Sequence, residues 1–343
     1  MKKGKILFCL LIAALMLLAA ACGGQSTEQS NETGETSAEK ITLKIAHVVD
    51  PTHHYQIGAE YFKKLVEEKT QGRVEVQIFP SSQLGNERAI LEGMKMGSIE
   101  MGVITSGALS GFVPEYAVLD LGYLFKDVDE AMNVLNGPIG EEFSQKMVDN
   151  GIRNLGTLRY GFRSVYANKP INSPEDLKGM KIRTMENPAH MDIFKALGAN
   201  PTPMGYGELY TALQQKVVDG AENLPDLFYN SKHYEVAKEY SLTNHVYCIV
   251  MWMMSEKVYQ SLPEDLRPII IEAAQESIEY ENGVIVEQMS QARANLEAAG
   301  VKITEPDIIP FQEAVKESWA ETVKSIPNGQ EYLDKIMEAT GQK

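Results

Sequence analysis

Cysteine is scarce, with three in 343 residues. Cys9 and Cys22 fall in an N-terminal leader, which leaves Cys248 alone in the apolar run VYCIVMWMM. A single thiol excludes a disulfide framework in the mature chain, and a lone cysteine in such a run reads as a packing residue. The short patterns that anchor most enzyme chemistry are also missing. No GxGxxG opens the helix after the first strand, and the chain has no P-loop, HExxH, CxxC or GxSxG. Six histidines are present, but only His53 and His54 adjoin. Neighbours on a helix point in different directions, so no metal site is expected. Nothing here cradles a cofactor or pairs a nucleophile with a base, so neither a cofactor nor enzymatic activity is expected, and a secreted hydrolase is disfavoured. Positive charge is short as well, with 32 Lys and Arg against 47 Asp and Glu, a formal charge of −15. Nucleic acid and anionic membrane surfaces are therefore poor partners. An anionic ligand must be held by local cations against that background, which gives weight to each arginine at a strand end.

The first 22 residues, MKKGKILFCLLIAALMLLAAAC, combine a basic start, an apolar run and small residues before a cysteine, the pattern of a signal peptide. Ala19-Ala20-Ala21-Cys22 looks like a bacterial lipobox, so Cys22 is expected to be lipidated and to become the mature N-terminus. Plain cleavage after an A-x-A site is the other reading. Loss of Lys2, Lys3 and Lys5, with no acid in the segment, deepens the negative charge by three units. Residues 23–40 contain no aliphatic side chain larger than alanine and are predicted to form a flexible tether to the membrane.

From Ile41 the chain reads as α/β. ITLKIAHV, VEVQIF and MGVIT are strands separated by helices over about 54–69 and from Asn86, an alternation that implies a mostly parallel sheet. The length and the 44% hydrophobic content favour two lobes. SLTNHVYCIVMWMMS is predicted to cross back from the second lobe to the first, making a hinge of strands. Lobe I is expected over 41–160 plus about 249–288, and lobe II over 161–248 plus about 289–343. After Leu262-Pro263-Glu264-Asp265 only Gly283 interrupts the chain before Gly300, so a helix of over thirty residues is expected to span both lobes.

The residues most organised for binding lie between Met180 and Leu224. The predicted order is strand 180–184, helix 188–197, strand 200–202, helix 207–216 and strand 217–220. Arg183 then ends a strand and Asn223 follows one, the level at which open α/β sheets place ligand groups. Arg163, in YGFRSVYAN, is a second candidate. A guanidinium fork holds a carboxylate bidentately, which lysine cannot reproduce. On spacing alone, structural ion pairs for both arginines remain open. His47, at the end of the first strand, is a candidate polar contact.

Four collinear stretches, FPSSQLGNERAILEGMKMGSIEM, YGFRSVYANKPINSPEDLKGMKIR, GANPTPMGYGELYTALQQKVVDGAEN and FYNSKHYEVAKEYSLTNH, resemble the solute-binding receptors of tripartite ATP-independent periplasmic (TRAP) transporters, DctP type. The resemblance covers about Ile41 to Phe311. It implies a two-lobed periplasmic-binding-protein-like fold with a long shared helix, closing around an organic acid outside the cytoplasm and delivering it to TRAP membrane subunits. It further implies that Arg183, in the KIR motif, holds the ligand carboxylate, that Arg163 and Asn223 assist, and that Tyr206, after PTPM, packs on the ligand. Thr105, at the loop after the third strand, joins the expected ligand contacts. That loop, Thr105-Ser106-Gly107-Ala108, lacks the charged residues of sialic-acid receptors, which disfavours sialate. The FYNSKHYE and GFRSVYAN stretches look like those of hexuronate or related sugar-acid receptors, while Glu222-Asn223-Leu224-Pro225-Asp226 departs from the uronate form and C4-dicarboxylate receptors share much of the pattern. A receptor for a signalling partner would share the same fold.

Overall fold

Leu43 and Ile45 alternate with more exposed residues in β1 (Ile41–Ala46) and are fully buried. Helix α1 (His54–Lys69) buries Tyr55, Ala59, Phe62 and Val66, one face at helical spacing. It leads to β2 (Val74–Phe79), which pairs in parallel with β1 from Ile41 opposite Val74 to Ala46 opposite Phe79. Asn86 caps α2 (Glu87–Met96) by accepting from the Ala89 amide at 3.0 Å, and Gly97 ends it in the left-handed region at φ 78°. Then come β3 (Met101–Thr105), the short α3 (Ser106–Leu109), α4 (Val128–Leu135), α5 (Pro138–Asp149) and β4 (Ile152–Thr157). The second half holds β5 (Phe162–Ala167), β6 (Lys181–Thr184), α6 (Pro188–Ala196), β7 (Asn200–Pro203), α7 (Leu209–Gln214), β8 (Gly220–Asn223), α8 (Pro225–Asn230) and β9 (Glu239–Tyr247). The chain closes with β10 (Val250–Ser255), α9 (Glu256–Ser261), α10 (Leu266–Ala298), β11 (Lys302–Thr304), α11 (Ile309–Lys324) and α12 (Gly329–Ala339). The computed structural model describes residues 40–342; the signal peptide, Cys22 and the tether up to residue 39 lie outside the described residues.

Two sheets result, ordered β2-β1-β3-β10-β4 and β11-β9-β5-β8-β6-β7. In the first, β1 is parallel to β2 and β3 and β10 runs antiparallel to β3 and β4. The second is mixed likewise. Each sheet carries its own helices and makes one lobe. The chain passes between them at 158–161 and again at 248–249. The two crossings are bonded to each other, the Cys248 amide donating to the Gly161 carbonyl at 2.8 Å and the Leu158 amide to the Val250 carbonyl at 2.9 Å. The hinge is therefore two short non-strand segments, one joining β4 to β5 and the other β9 to β10, held side by side by backbone hydrogen bonds rather than the continuous strands expected from the sequence.

Helix α10 has 33 residues, about 50 Å at 1.5 Å per residue. It packs along α1, with Glu272, Glu276, Tyr280 and Glu281 meeting that helix, and also touches α8 and β11 of the second lobe. Gly58 makes the α1 approach possible, since a Cβ there would lie 2.4 Å from Glu281 Oε2. Helix α11 packs on α6, burying Phe311 and Val315 in the second lobe. Helix α12 departs from the lobe boundaries expected above. Its Tyr332 ring lies 4.8 Å from Phe143 of α5 and its hydroxyl donates to Glu142 Oε1 at 2.5 Å, so the C-terminus returns to the first lobe.

Candidate functional site

A cleft runs between the strand ends of the two sheets. One cavity, about 330 Å³ counting its open mouth, is lined from the first lobe by Val48, Val49, Tyr55, Glu87 and Thr105. The second lobe adds Arg163, Arg183, Met185, Tyr206, Asn223 and Leu227. A further cavity shares Glu87, Arg183, Met185 and Tyr206 and extends past Asn86, Arg88 and Glu186. The lining, largely apolar with a few convergent polar groups, is of the kind that holds a small molecule.

Arg183 projects from β6 and is 3% exposed. Its Nε and Nη2 both donate to the Met204 carbonyl, at 3.1 and 2.8 Å, which fixes one edge of the fork. Nη1 is buried with no partner. Burial works against the charge and holds the guanidinium below its ordinary range. A cation with a free donor edge, and no carboxylate partner among the described residues, has the chemistry to take an anion.

Arg163 borders the same cavity, but most of its donors are engaged. Its Nη2 donates to Glu222 Oε1 at 2.9 Å and to the Glu222 carbonyl at 3.0 Å, Nε donates to Glu222 Oε2, and Nη1 faces Cys248 Sγ at 3.5 Å. Burial opposes both charges, yet each offsets the penalty of the other. Arg163 is held above its ordinary range and Glu222 below the usual carboxylate range. His245 Nε2 lies 3.5 Å from Glu222 Oε2. The ion pair that spacing left open is thus present for Arg163 and absent for Arg183, among the described residues.

Tyr206 places its ring 5.8 Å from the Arg183 guanidinium, and its hydroxyl is tied to Ser231 Oγ at 2.6 Å. Asn223 ends β8, three residues beyond the end of the predicted strand, and its side chain accepts from the Leu224 amide at 3.1 Å. Thr105 lines the cavity through its bond to Glu87. His47 is fully buried, with Nε2 3.0 Å from Gln56 Oε1, and does not border either cavity. Burial lowers its pKa to about 4, so it is neutral at pH 7.

Glu87 is the main addition to the residues singled out from sequence. It opens α2, where an acid reads as an ordinary partner of the helix N-terminus. Its Oε1 accepts from the Thr105 amide at 2.9 Å and the Thr105 hydroxyl at 3.0 Å, and Oε2 takes that hydroxyl at 2.9 Å. The first lobe thereby presents a carboxylate to the cavity that Arg183 enters from the second. Burial raises the Glu87 pKa above its ordinary value.

A second acid links the lobes beside the cleft. Asp120 Oδ1 accepts from Ser106 Oγ at 2.6 Å, and Oδ2 accepts from Asn187 Nδ2 of the opposite lobe at 2.7 Å. Burial pushes Asp120 up to about 7. The native state then binds a proton that the unfolded chain has released, so this group's contribution to stability is fullest below about pH 4 and falls as pH rises to about 7. The shift corresponds to a change on the order of 4 kcal/mol. Asp120→Asn is expected to flatten the pH dependence of unfolding, gaining on the wild type between pH 4.5 and 8 in denaturant melts. Parallel curves for the two proteins would contradict this.

Residues 45–325 match the family described as Bacterial extracellular solute-binding protein, family 7 (DctP). The 2,3-diketo-L-gulonate-binding periplasmic protein YiaO of Escherichia coli K12 is 30% identical over 300 residues, 87% of this chain and 92% of that protein. The TRAP periplasmic solute-binding protein of Polaromonas sp. JS666, solved with D-erythronate, is 36% identical with a TM-score of 0.82 over 87% of this chain and 98% of that one. That of Sulfurospirillum deleyianum, solved with succinate, is 34% identical with the same TM-score over 87% and 98%. The family match over most of the chain, together with full-length relatives at 30% identity and above, places it: the chain belongs to the DctP family of extracellular solute-binding proteins.

Proposed function

We propose that the protein is the receptor of a TRAP transporter for a hydroxylated monocarboxylate, a sugar acid rather than a dicarboxylate. The observation that carries this reading is the opposition of two groups across the cleft, the buried, unpartnered Nη1 of Arg183 and the half-buried carboxylate of Glu87. Arg183 takes the carboxylate of the ligand. Glu87 accepts hydrogen bonds from ligand hydroxyls and repels a second carboxylate, a form of specificity by exclusion. Tyr206 and Met185 pack on the carbon chain, and Asn223 supplies a neutral polar contact. The ligands of the E. coli and Polaromonas relatives support the hydroxylated class, and the succinate of the Sulfurospirillum relative supplies the competing one. We also propose that Cys22 carries the lipid that tethers the receptor beside its membrane subunits, a reading supported by the lipobox pattern.

Calorimetric titration separates the two ligand classes. Aldonates or hexuronates are expected to bind at least about tenfold more tightly than succinate. Glu87→Gln is expected to weaken the hydroxy acid and to improve succinate. Tighter binding of succinate by the wild type would overturn the assignment of Glu87.

A further inference from the structure

Behind the ligand cleft, on the hinge side, a cluster of polar groups is buried between the lobes. His53 and His54 stand at the start of α1 in the first lobe, and Asp226 in the first turn of α8 in the second. None of the three is more than 2% exposed. His53 Nε2 lies 3.4 Å and His54 Nε2 3.7 Å from Asp226 Oδ2, and one ligand atom from each residue falls within 4.8 Å of the others. The expectation that adjacent histidines diverge fails for a local reason. His53 is the N-cap, with extended backbone at φ −76° and ψ 154°, so its ring turns back to lie 4.0 Å from that of His54.

Two polar atoms in this cluster lack partners, His54 Nε2 and Asp226 Oδ1. Orphaned buried atoms of this kind are uncommon in folded proteins. His54 Nδ1 is 2.7 Å from Glu281 Oε1, so an Nδ1–H donated to that carboxylate leaves the Nε2 lone pair facing Asp226. Glu281 is itself held by the Trp252 indole N–H at 2.8 Å. Carboxylate behind histidine is the usual outer shell of a metal-bound imidazole. Tyr160, in the hinge, donates to Asp226 Oδ2 at 2.6 Å, the corresponding support for a ligating carboxylate. Metal–ligand bonds of about 2.0–2.2 Å in a tetrahedron place ligand atoms roughly 3.3–3.6 Å apart, close to the two separations measured here. Asp226 also borders a surface cavity between α8 and α10, beside Gln288 and Asn295, which gives a route from solvent.

We infer that His53, His54 and Asp226 form a site for one divalent transition cation of the zinc type, tying the two lobes together behind the ligand. Coordination through His53 Nε2 gives up its contact with the Tyr160 hydroxyl at 3.2 Å and, with the ring proton moved to Nδ1, the Tyr55 amide contact, which at 3.4 Å is at the outer limit of a hydrogen bond. The site is coupled to the cleft by short covalent paths. Asp226 is three residues beyond Asn223, and Tyr55, which lines the cavity, follows His54. Because the cation needs both lobes in place, it favours the closed state and raises affinity for the organic acid, and the acid raises affinity for the cation by the same factor.

The test is zinc and cobalt titration of the chelator-stripped, untagged receptor by calorimetry and visible absorption, with magnesium as control. One zinc per chain is expected, with cobalt giving the intense visible bands of a tetrahedral complex and magnesium giving no heat. Asp226→Asn and His54→Gln are expected to abolish stoichiometric binding. Glu281→Gln is expected to weaken it roughly 10- to 100-fold, with circular dichroism reporting that each variant is folded. Zinc at saturation is expected to raise the midpoint of thermal unfolding of the wild type. No stoichiometric uptake overturns the proposal, as does uptake that survives both Asp226→Asn and His54→Gln. Stabilisation by acidification alone, without zinc uptake, also overturns it, because the orphaned atoms would then be taking a proton.

Discussion

Arg183→Ala is expected to weaken binding of the organic acid by about 10² to 10⁴-fold. The estimate follows from the free edge of the guanidinium: two charge-assisted hydrogen bonds are worth roughly 1.5–3 kcal/mol each, and each 1.4 kcal/mol is about tenfold in affinity. Arg183→Lys is expected to recover little, since one ammonium cannot donate to both the Met204 carbonyl and a carboxylate in the planar fork that Arg183 uses. Ligand-free stability is expected to change by less than about 1 kcal/mol, because the substitution removes a buried cation along with its bonds to Met204. Binding sites commonly hold such groups at a cost to stability. Calorimetry and denaturant melts on the same preparation read the two effects separately. Loss of affinity together with a collapse of the ligand-free protein would mean that Arg183 is structural.

Glu222→Gln is expected to do the reverse. Glu222 is fully buried and neutralises Arg163, so its loss leaves Arg163 without a counter-charge in the same interior as Arg183. Breaking a buried pair in this way costs about 3–5 kcal/mol, a fall in melting temperature of roughly 5–8 °C for a chain of this size. The folded Glu222 titrates below its unfolded value. Its contribution is therefore present above the unfolded carboxylate range and is lost as pH falls through the folded one. The gap between wild type and Glu222→Gln is accordingly expected to hold steady from pH 6 to 8 and to narrow in acid below about pH 4. Ligand-induced stabilisation is expected to be larger in the variant, since the cleft gains positive charge. An unchanged melting temperature at pH 7 would show that Arg163 does not depend on this partner.

Much of this arrangement is legible in the chain. Helix α1 can be read from His54 to Lys69 because its apolar face repeats at helical spacing and Gln71-Gly72 ends it. The spanning helix can be read because so little interrupts the chain after Pro263. Strand β8 is harder. The apolar pair Val217-Val218 draws the predicted strand three residues early, whereas Lys216 turns left-handed at φ 58° and Val217 is left 49% exposed. The strand consequently starts at Gly220 and ends on Asn223. Arg183 and Arg163 look equivalent in sequence, both arginines in or beside strands. Only the register of β5 against β8, which brings Ser164 opposite Asn223 and so Glu222 beside Arg163, decides which of them keeps a free edge. Glu87 is illegible for a different reason. An acid in the first turn of a capped helix is explained locally, and its exposure to the cleft depends on how α2 sits against the end of β3.

The central claim is that the cleft holds a carboxylate through Arg183, and it is tested most directly by thermal unfolding of the purified receptor against matched pairs of acids and neutral sugars. D-galacturonate with D-galactose, and D-erythronate with erythritol, differ chiefly in the carboxylate. At about a hundred times its dissociation constant, a true ligand stabilises the fold by about 2.7 kcal/mol. A shift is expected for an acid and not for its neutral partner, and it is expected to vanish in Arg183→Ala. Equal shifts for acid and neutral sugar, or a full shift retained by Arg183→Ala, would contradict the account.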